Sequence, residues 1–251
     1  MPTDNLHSDS RSATPRFWEL DLLRGVAVIL MIGFHGICDI AFLANQPPQS
    51  FWLIALWQRV VAMLFLTLAG ISLWLNQTKS PQSSYRLLCY RGLTLLTWGG
   101  GITLVTRLLL PDGFIIFGIL HLIGLATILS YPFFRLGKLN LLLATAIILS
   151  GAYLQNFRFP FPWLLWVGLI PQEFSSYDYF PLLPWFGLIL LGIYLGKIFY
   201  RNHTRLLPLG DCPMAKTVRC LCWLGRRSLL IYLLHQPILL GFLFLIKKLR
   251  Y

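Results

Sequence analysis

Four residues of the first apolar segment carry side chains that are costly in hydrocarbon: Asp21, Arg24, His35 and Asp39. At about 100° per residue they share an arc of roughly 60°, because three turns separate Arg24 from His35 and one separates His35 from Asp39. The last spacing lets a carboxylate reach an imidazole, fix its tautomer and stabilise its protonated form. That is a base with an orienting group, suited to taking a proton from a nucleophile. Arg59, His121 and His235 add ionisable groups to three further apolar runs. Counted at 1.5 Å per residue from the outer helix ends, His35, Arg59 and His121 fall at one level, roughly 12 Å deep, with His235 slightly deeper. Asp39, Arg107, Asp112 and Asp178 fall nearer the mouth of the cavity that such a layer implies. A charged side chain at mid-bilayer costs from about 2.5 kcal/mol upward, so such groups face an internal cavity and mark a site. Each has a structural alternative: an interhelical hydrogen bond for His121 or His235, and neutralisation of Asp39 by Arg59. Asp178, Tyr179 and Trp185 read as a platform for a sugar or another acceptor, or as an interfacial aromatic belt.

The segments that must hold these residues are set by composition. Of 251 residues, 57% are hydrophobic and only 12% charged, against roughly 25% charged in soluble domains. Lipid satisfies no backbone group, so apolar runs near ~20 residues read as helices. They are expected near 20 to 43, 51 to 75, 86 to 110, 113 to 136, 138 to 154, 180 to 200 and 226 to 246. The fold class is therefore an all-α integral membrane bundle of about seven transmembrane helices. Phe159 to Ile170, with Pro160, Pro162 and Pro171 in or beside it, is too short to cross and reads as re-entrant or interfacial. Residues 1–15 are polar, lack the apolar stretch of a cleavable leader and read as a disordered tail. Residues 16–251 form one transmembrane domain. The glycines at 99 to 101, 192 and 196 read as close-packing sites between helices.

Net charge is +12. In a soluble chain this would point to nucleic acid, but here the basic residues sort by loop. Most of the 21 Lys and Arg fall on one side, which the positive-inside rule makes the cytoplasm, with the N-terminus there. The basic C-terminal Lys247, Lys248 and Arg250 are the exception. The five cysteines give no disulfide framework, and His203, Cys212, Cys220 and Cys222 match no common zinc spacing. No metal is expected. Phosphate-loop, dinucleotide and serine-hydrolase motifs are absent.

The stretches RFWELDLLRGVAVILMIGFHGICDI, LFLTLAGISL, FGILHLIGLA, DYFPLLPWFGLILLGIYLG and LGRRSLLIYLLHQPILL resemble bacterial membrane proteins grouped with the catalytic domain of heparan-alpha-glucosaminide N-acetyltransferase. The resemblance runs from about Arg16 to Ile246. Leu23, Arg24, Gly25 and His35 also resemble the first helix of the wider membrane acyltransferase superfamily, whose helix-one histidine serves acyl transfer. The resemblance implies a membrane acyltransferase of the bacterial inner membrane. It would move an acetyl or other acyl group from cytoplasmic acyl-CoA, with acetyl-CoA the expected donor, to an amino sugar or hydroxyl of an envelope or exported glycan.

Under that reading Arg24, Arg86, Arg91, Arg226 and Arg227 hold the CoA phosphates. His35 is the general base, Asp39 stabilises its imidazolium, and Arg59 or His121 polarises the thioester carbonyl. Asp178, Tyr179, Trp185, Arg107 and His235 receive the acceptor. An acyl-histidine route is a variant. Two other classes remain: a proton-coupled transporter, since buried His, Asp and Arg also build proton relays, and a non-catalytic membrane component that binds a glycan or partner enzyme.

Overall fold

The structure is a computed structural model that describes residues 17–44, 51–79, 85–110, 113–201, 204–210, 212 and 215–249. The tail at 1–15, Asp112, His203 and Arg250 lie outside the described residues. In chain order the elements are α1 (Trp18–Leu43), α2 (Phe51–Lys79), α3 (Tyr85–Leu109), α4 (Ile119–Leu129) with a 3-10 turn at Tyr131–Arg135, α5 (Leu139–Leu154), α6 (Leu182–Phe199), α7 (Lys216–Arg226) and α8 (Ser228–Leu249). The chain is a helical membrane bundle: α1, α2, α3, α6 and α8 are long and apolar enough to cross a bilayer, and α4 and α5 are shorter apolar helices.

Six of these helices follow the apolar runs closely, and two differences are instructive. The helix expected over 113 to 136 begins only at Ile119, leaving α4 with 11 residues, about 16 Å of rise. The chain before it is extended and pairs with the segment before α6. The Tyr177 N–H donates to the Gly113 carbonyl at 2.9 Å, and the Phe180 N–H to that of Phe117 at 2.9 Å. Non-helical backbone survives at membrane depth only where protein satisfies it, and here each of two broken segments supplies the other. Phe159 to Ile170 likewise folds back on itself, its ends joined by the Phe159 N–H to the Ile170 carbonyl at 2.9 Å.

The second difference is α7, in a stretch that reads as loop. Val218, Leu221, Cys222 and Gly225 recur at one-turn spacing, which gives an apolar face. Cys222 and Gly225 are buried while Arg219 and Arg226 are exposed. This face crosses α1 so closely that a Cβ at Gly25 would overlap the Leu221 carbonyl and one at Gly225 would overlap the Asp21 carbonyl. Bare backbone on both helices is what lets them meet.

The main core lies where α2, α4 and α6 pack together around Leu66, Leu122, Ile189, Leu190 and Ile193, all nearly inaccessible. α5 packs on α6, α3 on α4, and α1 on α2, α7 and α8. Gly192 meets the α2 backbone and Gly196 the Trp74 ring, and Gly99 meets the His121 ring, whereas Gly100 and Gly101 face open space. Outward faces stay apolar, as at Leu104, Leu108, Leu142 and Phe242, as lipid contact requires.

Candidate functional site

The polar stripe of α1 is divided between two neighbours. At its N-terminal half, Arg24 pairs with Asp21 at 2.9 Å and donates to Ser72 Oγ of α2 at 2.6 Å. The Ser72 hydroxyl in turn donates to the Leu68 carbonyl. Asp21 is 2% exposed. These groups tie α1 to α2 beside the α7 crossing.

About 15 Å further along α1, at 1.5 Å per residue, the stripe meets α8. The His35 and His235 rings stand 4.9 Å apart. One turn on, Gln236 Nε2 donates to Asp39 Oδ1 at 2.8 Å. Asp39 and His235 are buried, at 7% and 8% exposure. The expected Asp39 to His35 pairing is therefore replaced: a carboxylate four residues away is within reach of the imidazole, but the amide on the facing helix takes it. His235 Nδ1 lies 2.7 Å from the Tyr232 carbonyl. Three buried atoms of this seam have no hydrogen-bond partner: Asp39 Oδ2, Gln236 Oε1 and His235 Nε2. Buried polar atoms are normally satisfied, and among the described residues these three lie together on one seam.

His121 stands elsewhere, on a helix that packs mainly on α3, α6 and α2. Its Nδ1 accepts the Gly118 N–H at 3.2 Å and its Nε2 lies 3.4 Å from Thr103 Oγ1. Asp178 Oδ2 accepts the Ile119 N–H at 3.3 Å. Both side chains thus satisfy free N–H groups at the start of α4, a capping role. Burial pushes the Asp178 carboxyl up to about 6, opposed by the Ile119 N–H. Tyr232 links the main core to the seam: it packs against that core, and its ring lies 5.6 Å from that of His235.

The remaining expected residues are dispersed. Arg59 is exposed on α2 with no hydrogen bond or ion pair among the described residues, so it neither neutralises Asp39 nor joins His35. Arg107 is exposed and lies over the Phe114 ring at 4.8 Å. Tyr179 donates its hydroxyl to the Leu165 carbonyl at 2.7 Å, and Trp185 packs edge-on to Phe180 at 4.9 Å. Both hold the loop before α6 in shape. A cleft of about 440 Å³ opens beside α7, lined by Cys212, Arg219, Cys220, Cys222, Trp223 and Arg226. Arg227 lies over the Trp223 ring at 4.3 Å. Arg86 and Arg91 are exposed on α3, away from α7 in the packing order, and Arg24 is engaged by Asp21 and Ser72. Of the five expected phosphate ligands, only Arg226 lines the cleft, with Arg227 beside it on the Trp223 ring. Arg219 and Trp223 join them unforeseen, and the one-turn repeat of α7 was the signal for their shared helix. Among the described residues, no group of three or more His, Cys, Asp or Glu is placed to hold a metal.

The profile of the family described as heparan-alpha-glucosaminide N-acetyltransferase, catalytic, matches residues 16–237. No curated protein and no solved structure matches the chain.

Proposed function

The chain belongs to this catalytic family of membrane acetyltransferases, and from that premise we propose that it moves an acetyl or other acyl group from cytoplasmic acyl-CoA to an amine or hydroxyl of an envelope or exported glycan. The observation that carries the site is the α1/α8 seam, where His35 and His235 face each other at 4.9 Å beside a buried, half-satisfied Asp39. An imidazole at that place can take the proton of an attacking amine or hydroxyl, a contribution of 10²- to 10⁴-fold to rate. His35 is the base. Asp39 acts through Gln236 and the local field rather than by direct contact.

The apolar helices lie in the inner membrane of a bacterium, five of them long enough to cross it, with the N-terminus and α7 on the basic, cytoplasmic side. The α7 cleft receives the donor's nucleotide end. Arg219 and Arg226 supply cationic forks for phosphate, and Trp223 supplies an aromatic face. The rise along α1 from the α7 crossing to His35, about 15 Å, is bridged by the pantetheine arm.

The test is release of free CoA from acetyl-CoA by purified protein in liposomes, with an amino sugar supplied. Wild type is expected to turn over. His35→Ala is expected to lose at least 10²-fold while keeping its thermal unfolding transition. Equal rates in the two proteins would remove His35 from the reaction.

A further inference from the structure

The hydrogen bonds of His235 define its protonation. Its Nδ1 lies 2.7 Å from the Tyr232 carbonyl. A carbonyl oxygen only accepts, so Nδ1 carries the hydrogen. The residue is 8% exposed, and its Nε2 has no partner. A doubly protonated ring would leave a buried N–H unpaired and a buried charge without a counter-ion in contact, which costs several kcal/mol. The neutral Nδ1–H tautomer instead leaves a bare lone pair on Nε2, on the ring that faces His35.

We infer that His235 is the positioning partner of His35, its Nε2 lone pair accepting a hydrogen bond from the second ring N–H of His35 as that histidine takes a proton from the acceptor. The inference rests on the transferase reading above. It gives His235 the role that the sequence spacing assigned to Asp39, in the general arrangement of a base oriented by a further group. The ring centroids lie 4.9 Å apart, a separation at which a ring rotation brings a nitrogen of one imidazole to hydrogen-bond range of a nitrogen of the other. Catalytic hydrogen bonds often tighten in this way only when substrate is bound.

The step balances as follows. The acceptor nitrogen or oxygen forms a bond to the acyl carbon, and the carbon–sulfur bond of the thioester breaks. The acceptor's proton goes to His35, while the proton on the other His35 nitrogen stays there, hydrogen-bonded to His235 Nε2. CoA leaves as the thiolate and takes the proton back from His35 as the thiol. The net change is acyl thioester plus acceptor to acylated acceptor plus free thiol, with both histidines restored.

Two measurements test it. In wild-type protein with ¹⁵N-labelled histidine in lipid nanodiscs, His235, assigned by comparison with His235→Asn, is expected to show a protonated Nδ1 and a bare Nε2. The opposite tautomer overturns the inference, whether or not any acceptor is turned over. In the CoA-release assay, His235→Asn keeps an amide donor near the Nδ1 position but has no Nε2. Its kcat is expected to fall 10- to 100-fold with KM for acetyl-CoA within about twofold. His235→Ala is expected to be partly rescued by free imidazole. Turnover of the Asn variant within threefold of wild type, or equal loss in both variants with no imidazole rescue, overturns the positioning role. Wild-type protein that releases no CoA with any acceptor overturns the transferase reading and the positioning role resting on it, while the tautomer is still decided by the spectrum.

Discussion

The two halves of α1 carry similar side chains and use them differently. Near the α7 crossing, Asp21 and Arg24 form an ion pair, and Arg24 also reaches Ser72. At the α8 seam, His35, Asp39, His235 and Gln236 share a single side-chain hydrogen bond, and three buried atoms have no partner. A buried polar group that is fully engaged serves the fold. One that is left partly unengaged costs about 1 to 3 kcal/mol per group and adds little to stability. The same stripe contains a fastening and the proposed site.

The contrast can be broken most directly at the fastening. Arg24→Ala leaves the Asp21 carboxylate, 2% exposed, without its guanidinium, and is expected to lower unfolding stability by about 3 kcal/mol. Replacing both by leucine should return most of that loss. Denaturation followed by tryptophan fluorescence in mixed micelles measures both. If the single variant is as stable as wild type, this end of α1 is not a fastening.

The seam should respond in the opposite sense. Asp39→Leu combined with Gln236→Leu removes two orphan atoms together with the bond between their residues. Stability is expected to hold or to rise by about 1 kcal/mol, while CoA release falls at least tenfold. A marked loss of stability would make the seam a second fastening.

The smallest effect belongs to Asp178. Its carboxyl, pushed up to about 6 by burial, holds a proton more tightly in the folded protein than in the unfolded chain, where aspartate titrates near ~3.9. The stabilisation is present at low pH and is lost as pH rises through about 6. Melting temperature is expected to decline over that window, and Asp178→Asn to flatten the decline. An unchanged slope in the variant would locate the titration at another group.

Much of the fold was legible because hydrophobic runs set helix lengths and lipid leaves the backbone little choice. The start of α4 was not legible: Phe114 to Phe117 is as apolar as a helix, and its extended form depends on residues some sixty positions away. α7 was written in its one-turn repeat but masked by a basic loop. At the site, periodicity placed His35 and Asp39 on one face correctly. Spacing along one helix states what a side chain can reach, and only the neighbouring helix decides what it binds, which is how Gln236 displaced His35 as the partner of Asp39. Arg59 shows the same limit from the other side: depth along a helix says nothing about azimuth.

The paired segments before α4 and α6 also bear on how the protein is made. The carbonyls of Gly113 and Phe117 wait for the N–H groups of Tyr177 and Phe180, so a ribosome must synthesise α5 and the folded-back loop before the approach to α4 can settle. Membrane insertion cannot therefore proceed as a simple succession of finished spans. A chain stopped ahead of Tyr177 lacks the donors that the Gly113 and Phe117 carbonyls use in the finished bundle.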